Sequence, residues 1–129
     1  MRVVNFARAR RDDRGAAAVE FAIVLPLLVL FVFGMIDFGR LFFTQITVTQ
    51  AAREGSRLAA LNLPDVQSRT AAAATGVSPT TVTVVHSCPS GSDQSTDAVV
   101  TVTYTFTFTT PLIGATRTLT GRGHMPCQG

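Results

Sequence analysis

The stretch GAAAVEFAIVLPLLVLFVFGMI, residues 15–36, determines the architecture that we expect of this chain. From Phe21 to Ile36 it contains no charged or hydrogen-bonding side chain. Counted from Ala16, the segment is about 20 residues long, which is what a helix needs to cross the hydrocarbon core of a bilayer. Its one carboxylate, Glu20, is costly in such a place and therefore calls for a partner or a function. The stretch predicts a membrane helix that carries one functional acid.

The charge of the chain is concentrated in front of this helix. The chain has eleven arginines and no lysine, and five of the arginines precede Gly15 together with two aspartates. Residues 1–15 thus hold the whole formal net charge of +3. Positive charge beside a span tends to stay in the cytoplasm, which predicts an N-terminus inside and a C-terminus outside. The basic balance belongs to this leader, so we expect no nucleic-acid partner.

The span is expected to be retained and to be kinked. A cleavable secretory signal is the alternative, but residues 35–40, directly after the apolar run, offer no small-x-small cleavage site. Pro26 removes one backbone donor inside the helix, which favours a kink there or a role in subunit packing.

The order of patterns predicts an α+β fold. A long N-terminal transmembrane helix continues into an amphipathic helix, a short second helix follows, and a small three-stranded antiparallel sheet ends the chain. The expected divisions are a basic cytoplasmic leader (1–15), a transmembrane segment (16–36) and an extracytoplasmic head (37–129). Within the head we expect a helix extension at 37–61, a short helix at 64–75 and the sheet at 80–125.

Helical periodicity defines the faces expected to pack in the head. On the long helix the inner face is expected to be Phe38, Leu41, Phe42, Ile46, Ala52, Leu58 and Ala59. The helix is expected to break at Asn62–Asp65, and Gly76 is expected to end the second helix. The inner face of that second helix would be Val66, Thr70, Ala73, Ala74 and Val77.

Strict alternation marks the strands. Between residues 100 and 109, apolar side chains at even positions alternate with threonines at odd positions, as in a half-buried strand. Strands are also expected at Thr80–His86 and at about Thr116–His124. A polar loop, Ser90–Ser95, and a turn, Pro111–Gly114, would connect them into a meander. The strand propensity of threonine explains its abundance without glycosylation.

The two cysteines, Cys88 and Cys127, predict a disulfide, because an even pair in an extracytoplasmic domain is typically oxidised. Such a bridge would close a loop of about 40 residues and stabilise the head by about 4 kcal/mol in the chain-entropy model. A zinc site formed by His86, Cys88, His124 and Cys127 is the alternative, since two histidines and two cysteines are a common ligand set.

No catalytic constellation is visible, so we expect neither an enzyme nor a cofactor. The chain has no Ser-His-acid pattern, no phosphate-binding glycine loop and no HExxH motif. The pairs Asp37–Arg40 and Glu54–Arg57 have the i, i+3 spacing of exposed ion pairs, which contribute little to stability.

Three motifs together resemble the TadE-like family, the pseudopilins of the Tad (tight adherence) pilus. They are residues 14–21 (RGAAAVEF) followed by Val24-Leu25-Pro26, then Asp37-Phe38-Gly39-Arg40, then residues 51–60 (AAREGSRLAA). The resemblance covers about 45 residues closely. It implies that a membrane prepilin peptidase cuts between Gly15 and Ala16, and that Glu20 then neutralises the new α-amine of a neighbouring subunit.

The resemblance also implies a role and a place. The small Ala16 favours the Tad branch over other type IV-like systems, and Glu20-Phe21 is similar to the Glu-Tyr pair of Tad major pilins, which are shorter and lack a folded head. We therefore expect a minor pseudopilin of the inner membrane that supports a pilus for adherence or secretion. Its implied partners are the peptidase, other Tad pilins and pseudopilins, the assembly platform and ATPase, and membrane lipid.

Two other functions remain open from the residues alone. The first is an uncleaved single-pass membrane protein whose head binds a ligand or a cell-wall component. The second is a small zinc-binding secreted domain.

Overall fold

A computed structural model of the protein describes residues 9–79, 81–88, 91, 96–110 and 114–128. The chain forms two compact units that divide between Ile36 and Asp37. The described elements are two helices followed by a three-stranded antiparallel sheet, which confirms the predicted α+β fold.

The described part of the first unit is the first part of helix α1, which runs from Ala9 to Ala60. The helix begins seven residues before Ala16, so the last part of the leader is helical too. Every residue from Gly15 to Phe33 is exposed. Within the described residues, α1 is the one helix long and apolar enough to cross a membrane, with a mean hydropathy of 2.6 over its most apolar window. Exposed apolar side chains of this kind need lipid or another protein to cover them, which is consistent with a single-pass anchor.

In the second unit α1 ends where the sequence predicts a break. The N–H of Leu63 donates to the carbonyl of Leu58 and the N–H of Asn62 to that of Ala59, both at 3.1 Å. This pair of bonds is typical of a helix that is followed by a residue in the left-handed region. Asn62 is that residue here, with a φ of 49°. Asparagine tolerates that conformation better than most residues, and Pro64 prevents the helix from resuming.

Helix α2 runs from Val66 to Ala73. It is shorter than the predicted 64–75 because Asp65 is left-handed, with a φ of 60°, and so lies outside the helix. The predicted inner face is confirmed: Thr70 and Ala74 are buried, and Val66, Ala73 and Val77 are half-buried. Gly76, with a φ of 77°, turns the chain away from the helix.

The sheet has the order β1-β2-β3, with β1 at Thr81–His86, β2 at Asp97–Thr107 and β3 at Thr116–Pro126. Strands β2 and β3 pair without interruption from Asp97 opposite Pro126 to Thr107 opposite Thr116. Strand β1 pairs with β2 and has a bulge between Val84 and His86. Of the predicted loop 90–95 and turn 111–114, only Gly91 and Gly114 lie within the described residues. The predicted first strand lies within them except for Thr80.

The alternation predicted for β2 is confirmed. Val100, Val102 and Phe106 are buried, Tyr104 and Phe108 are half-buried, and the threonines between them are exposed or half-buried. The apolar face of the sheet therefore points toward the helices, and the hydroxyl face points away.

The predicted inner face of α1 is wrong for its largest members. Phe38, Phe42 and Ile46 are 61%, 56% and 55% exposed. The side of the helix that packs on the sheet instead carries small residues: Thr44, Thr47, Val48, Ala51, Ala52, Gly55, Ser56, Ala59 and Ala60.

Two strand glycines explain this choice. A Cβ atom on Gly121 would lie 2.6 Å from the carbonyl oxygen of Val48, and one on Gly123 would lie 2.7 Å from Oγ of Ser56. The backbone of β3 therefore lies directly on the backbone of α1, as strand glycines permit. At that distance there is room for alanine and serine but not for phenylalanine.

Candidate functional site

The predicted processing segment lies on one exposed stretch of α1. Gly15, Ala16, Glu20 and Phe21 are all helical and exposed, and a Cβ atom built on Gly15 meets nothing within 4 Å beyond its chain neighbours and its own turn of helix backbone. Glu20 forms no hydrogen bond or ion pair with any side chain that the structure describes. The segment is thus accessible from every side, and its acid is available to a partner outside this chain.

The helix continues through Pro26, which is also exposed. A proline here leaves the carbonyl of Ala22 without its helical donor. The roles predicted for Pro26 in kinking or subunit packing stay predictions.

A second site joins the start of the α1 segment in the head to the residues after β2. The carboxylate of Asp37 accepts hydrogen bonds from the backbone N–H of Thr109 at 3.1 Å and from that of Thr110 at 2.8 Å. The hydroxyl of Thr110 donates to the same carboxylate. Asp37 is only 3% exposed, so these donors replace water around its charge.

Arg40 completes this cluster from its exposed side. Its guanidinium lies 3.7 Å from the Asp37 carboxylate, donates to the hydroxyl of Thr109, and stands over the ring of Phe106 at 5.5 Å from the centroid. The arginine is thereby held by an ion pair, a hydrogen bond and a cation–π contact at once.

These contacts correct the prediction that Asp37–Arg40 is an exposed pair. The pair exists, but the Asp37 side chain is 4% exposed whereas that of Arg40 is 54% exposed. The hydroxyl of Thr110, followed by the backbone N–H groups of Thr109 and Thr110, lowers the pKa of Asp37 below its ordinary value despite the opposing effect of burial. The second predicted pair, Glu54–Arg57, is exposed as expected, at 3.8 Å.

The cysteines form the predicted pair. Cys88 and Cys127 are joined as a disulfide with their Cα atoms 5.6 Å apart, and both are buried. The N–H groups of Cys88 and Gln128 approach the carbonyls of Ala59 and Ala60 at 3.5 Å, at the end of α1, where the last carbonyls have no donor four residues later in the helix. The bridge thus fastens both the segment after β1 and the segment after β3 beside the end of the long helix.

The structure does not assemble the alternative zinc site. With both sulfurs in the disulfide, neither cysteine offers a thiolate to a metal. His86 and His124 lie opposite Val99 from its two sides, exposed on the sheet face that points away from the buried cysteines. Among the residues that the structure describes, no three potential ligands come together.

Comparison with known proteins bears on the part of α1 that carries the processing segment and Asp37. The family model described as TadE-like protein matches residues 15–57. This segment of the chain is similar to the TadE-like family. The match begins at Gly15, includes Glu20, Pro26 and Asp37, and confirms the resemblance found in the motifs. No curated protein and no solved structure gives a significant match.

The TadE-like segment fits a protein that is associated with a Tad pilus and anchored by a membrane helix. It implies association with components of that pilus in general. The sheet and the disulfide lie outside the matched residues.

Sequence reasoning missed two parts of the head. Gly121-Arg122-Gly123, a Gly-x-Gly inside a strand, was a usable signal, because glycine in a strand often marks a close backbone approach. Thr109-Thr110 gave no signal, because these two threonines resemble the many other threonines of the sheet.

Proposed function

We propose that the protein is a minor pseudopilin that supports assembly of a Tad-type pilus used in adherence or secretion. The observation that carries the proposal is the TadE-like match over residues 15–57, which starts at the glycine where processing is expected. The exposed apolar side chains of residues 19–33 support it, because a pilin helix must be covered first by lipid and then by other subunits.

The first step of the proposed function is cleavage between Gly15 and Ala16 by a prepilin peptidase. A peptidase binds its substrate as an extended strand, so the helix that begins at Ala9 must unwind locally. Glycine costs about 1 kcal/mol more than alanine in a helix interior, which makes Gly15 a point where unwinding is easier. Cleavage also removes the +3 leader that holds the N-terminus in the cytoplasm.

The second step is registration of the subunit by Glu20. Cleavage creates a positive α-amine on Ala16, and Glu20 lies four residues later, about 6 Å along the helix. An unpaired carboxylate in a low dielectric is strongly unfavourable, so burial among other helices requires a cation. The amine of a neighbouring subunit supplies that cation, and Phe21 packs beside the pair.

The remaining steps follow from the family. The helix of residues 16–36 resides in the inner membrane with other Tad pilins and pseudopilins, and the head of residues 37–129 is displayed outside. The assembly platform and its ATPase act on the membrane-bound subunit. The protein takes part as a structural component and catalyses no reaction.

The mature N-terminus tests the proposal. Membrane-extracted protein is analysed by intact mass and N-terminal sequencing, from cells with and without the prepilin peptidase. We expect a start at Ala16 with the peptidase and an intact leader without it. An intact leader in both strains would instead support the uncleaved membrane protein whose head binds a ligand or cell-wall component.

The variant Glu20→Ala separates registration from cleavage. We expect normal processing but a pilus yield reduced at least tenfold, because the buried amine loses its partner. Glu54→Ala is the matched control, since Glu54 lies on the same helix, is about half exposed and, among the described residues, pairs only with Arg57. A normal pilus yield in Glu20→Ala would mean that the carboxylate merely reaches the membrane surface.

A further inference from the structure

Large apolar side chains remain exposed on α1 after the membrane-spanning stretch ends. Phe38, Phe42 and Phe43 are 61%, 56% and 61% exposed, and the rings of Phe38 and Phe42 lie one turn apart in a tilted contact with centroids at 5.4 Å. We call these three residues the aromatic patch. An exposed patch of this kind marks contact with a partner or a membrane.

The patch has a sharp end along the helix. Ile46 is the last large apolar residue exposed on α1 before its final turn, and the next exposed positions are Gln50, Arg53 and Arg57. A seam that joins two long helices would repeat apolar residues every three or four positions beyond this point. The change to polar residues therefore favours a thin apolar layer as the partner over a second helix.

The charged residues beside the patch are already satisfied within the head. Asp37 is surrounded by donors from Thr109 and Thr110, and Arg40 is held by Asp37, Thr109 and Phe106. Moving this part of the helix into a less polar layer therefore exposes no unpaired carboxylate. The desolvation free energy that usually keeps an Asp-Arg pair away from the membrane boundary is therefore smaller here.

The three rings of the patch extend over about one layer of a bilayer, and the exposed Ile46 lies about one turn beyond them. Phe38 and Phe43 are five residues apart, which is about 7.5 Å along a helix. Each headgroup region is about 5–8 Å thick, given a hydrocarbon core of about 30 Å and a total of about 40–45 Å. Phe38 follows the last span residue, Ile36, after a single intervening position.

We propose that the aromatic patch of Phe38, Phe42 and Phe43 lies in the lipid headgroup region, so that the head rests on the membrane surface before assembly. The partner is a phospholipid surface. The inference rests on the membrane anchoring in the proposed function. Extraction of the subunit into a pilus then requires the patch to leave the lipid. Assembly must therefore replace the lipid contacts of the patch as well as those of the apolar span.

Tryptophan fluorescence tests this directly, because the chain contains no tryptophan. Three single variants of the full chain are reconstituted into phosphatidylcholine vesicles with or without bromine atoms on the acyl chains. They are Leu28→Trp in the span, Phe42→Trp in the patch and Leu61→Trp beyond the far end of α1, at sites that are 54%, 56% and 44% exposed. Bromine quenches nearby indole rings, so the loss of intensity reports depth.

We expect the largest loss of intensity at position 28, an intermediate loss with blue-shifted emission at 42, and none at 61. Phe43→Trp serves as a second patch variant and should behave like Phe42→Trp. If Leu28→Trp is not quenched, membrane anchoring and the proposed function fail together with this inference. If Leu28→Trp is quenched but both patch variants match Leu61→Trp, only the lipid contact is overturned. A blue shift at 42 without quenching, growing with the protein-to-lipid ratio, would overturn it in favour of a second copy.

Discussion

At the scale of single residues, Asp37 joins the start of the helix segment in the head to the residues that follow β2. It begins the compact unit of residues 37–129, and its carboxylate collects backbone donors from Thr109 and Thr110, more than 70 positions later in the chain. A short polar acid next to a membrane span would ordinarily stay in water. Here the chain after β2 returns to it and supplies the hydrogen bonds that water would otherwise give.

Asp37 makes the stability of the head depend on pH. Because its hydrogen bonds hold the pKa of Asp37 below 3.8, folding favours the charged form, and this stabilisation is present above about pH 3.8 and lost as the pH falls through the lower folded pKa. We expect Asp37→Asn to lower the melting temperature near neutral pH, and the difference from wild type to shrink in acid.

Circular dichroism of thermal unfolding in detergent, from neutral pH down to about pH 2.5, measures this effect. Asp97→Asn is the control, because Asp97 is an exposed strand residue for which no such donors are found among the described residues. A difference between Asp37→Asn and wild type that stays constant across the whole range would contradict the assigned role of the carboxylate.

At the scale of elements, the contact between α1 and β3 is made by small residues on both sides. Gly121 and Gly123 let the strand approach the helix backbone at Val48 and Ala52. On the same helix segment, Gly55 accepts the side chain of Thr70 from α2, where a Cβ would lie 2.9 Å from the Cγ2 atom of Thr70 and 3.0 Å from Cγ1 of Val100 in β2. The helix thus packs on the rest of the head through its smallest residues, and its aromatic side chains remain exposed.

Gly123→Ala tests this contact. The added methyl group would lie 2.6 Å from the carbonyl carbon of Ala52, so the strand or the helix has to move. We expect a loss of about 1–3 kcal/mol in the free energy of unfolding, as for overpacked interiors. The measurement is the midpoint of urea unfolding with an unchanged slope.

Gly39→Ala is the matched control for this prediction. It makes the same chemical change on α1, at a place where a Cβ meets nothing within 4 Å. Alanine should stabilise that helix by up to about 1 kcal/mol. Equal effects of the two substitutions would show that β3 is not held against the helix.

At the scale of the whole molecule, the head is a small sheet covered on one face by a helix segment whose packing side chains are small. Its buried core consists largely of alanine, valine and the two cysteines. Such a core buries little apolar area per residue, so a covalent link would supply a large share of the stability of the head. The disulfide between Cys88 and Cys127 connects positions 39 residues apart and supplies that link.

Removing the disulfide should destabilise the head strongly. For Cys88→Ala/Cys127→Ala we expect a loss of about 4 kcal/mol, from the entropy that the open loop regains in the unfolded chain. Thermal unfolding with and without dithiothreitol measures this loss. Reduced wild type should melt near the double variant, and the double variant should not respond to reductant. A wild type whose thiols become free without any change in melting temperature would disprove the role of the bridge.

Local patterns were sufficient for much of this protein. The long apolar helix follows from an unbroken apolar run, β2 from strict alternation, and the end of α1 from Asn62 and Pro64, because each of these depends on residues close together in sequence. The cysteine pair and the TadE-like motifs could likewise be found without coordinates. The packing face of α1 and the burial of Asp37 could not be found in this way. Both depend on which distant backbone arrives at the helix: the glycines of β3 admit only small side chains, and Thr109 and Thr110 bring the donors that let a carboxylate lose its water.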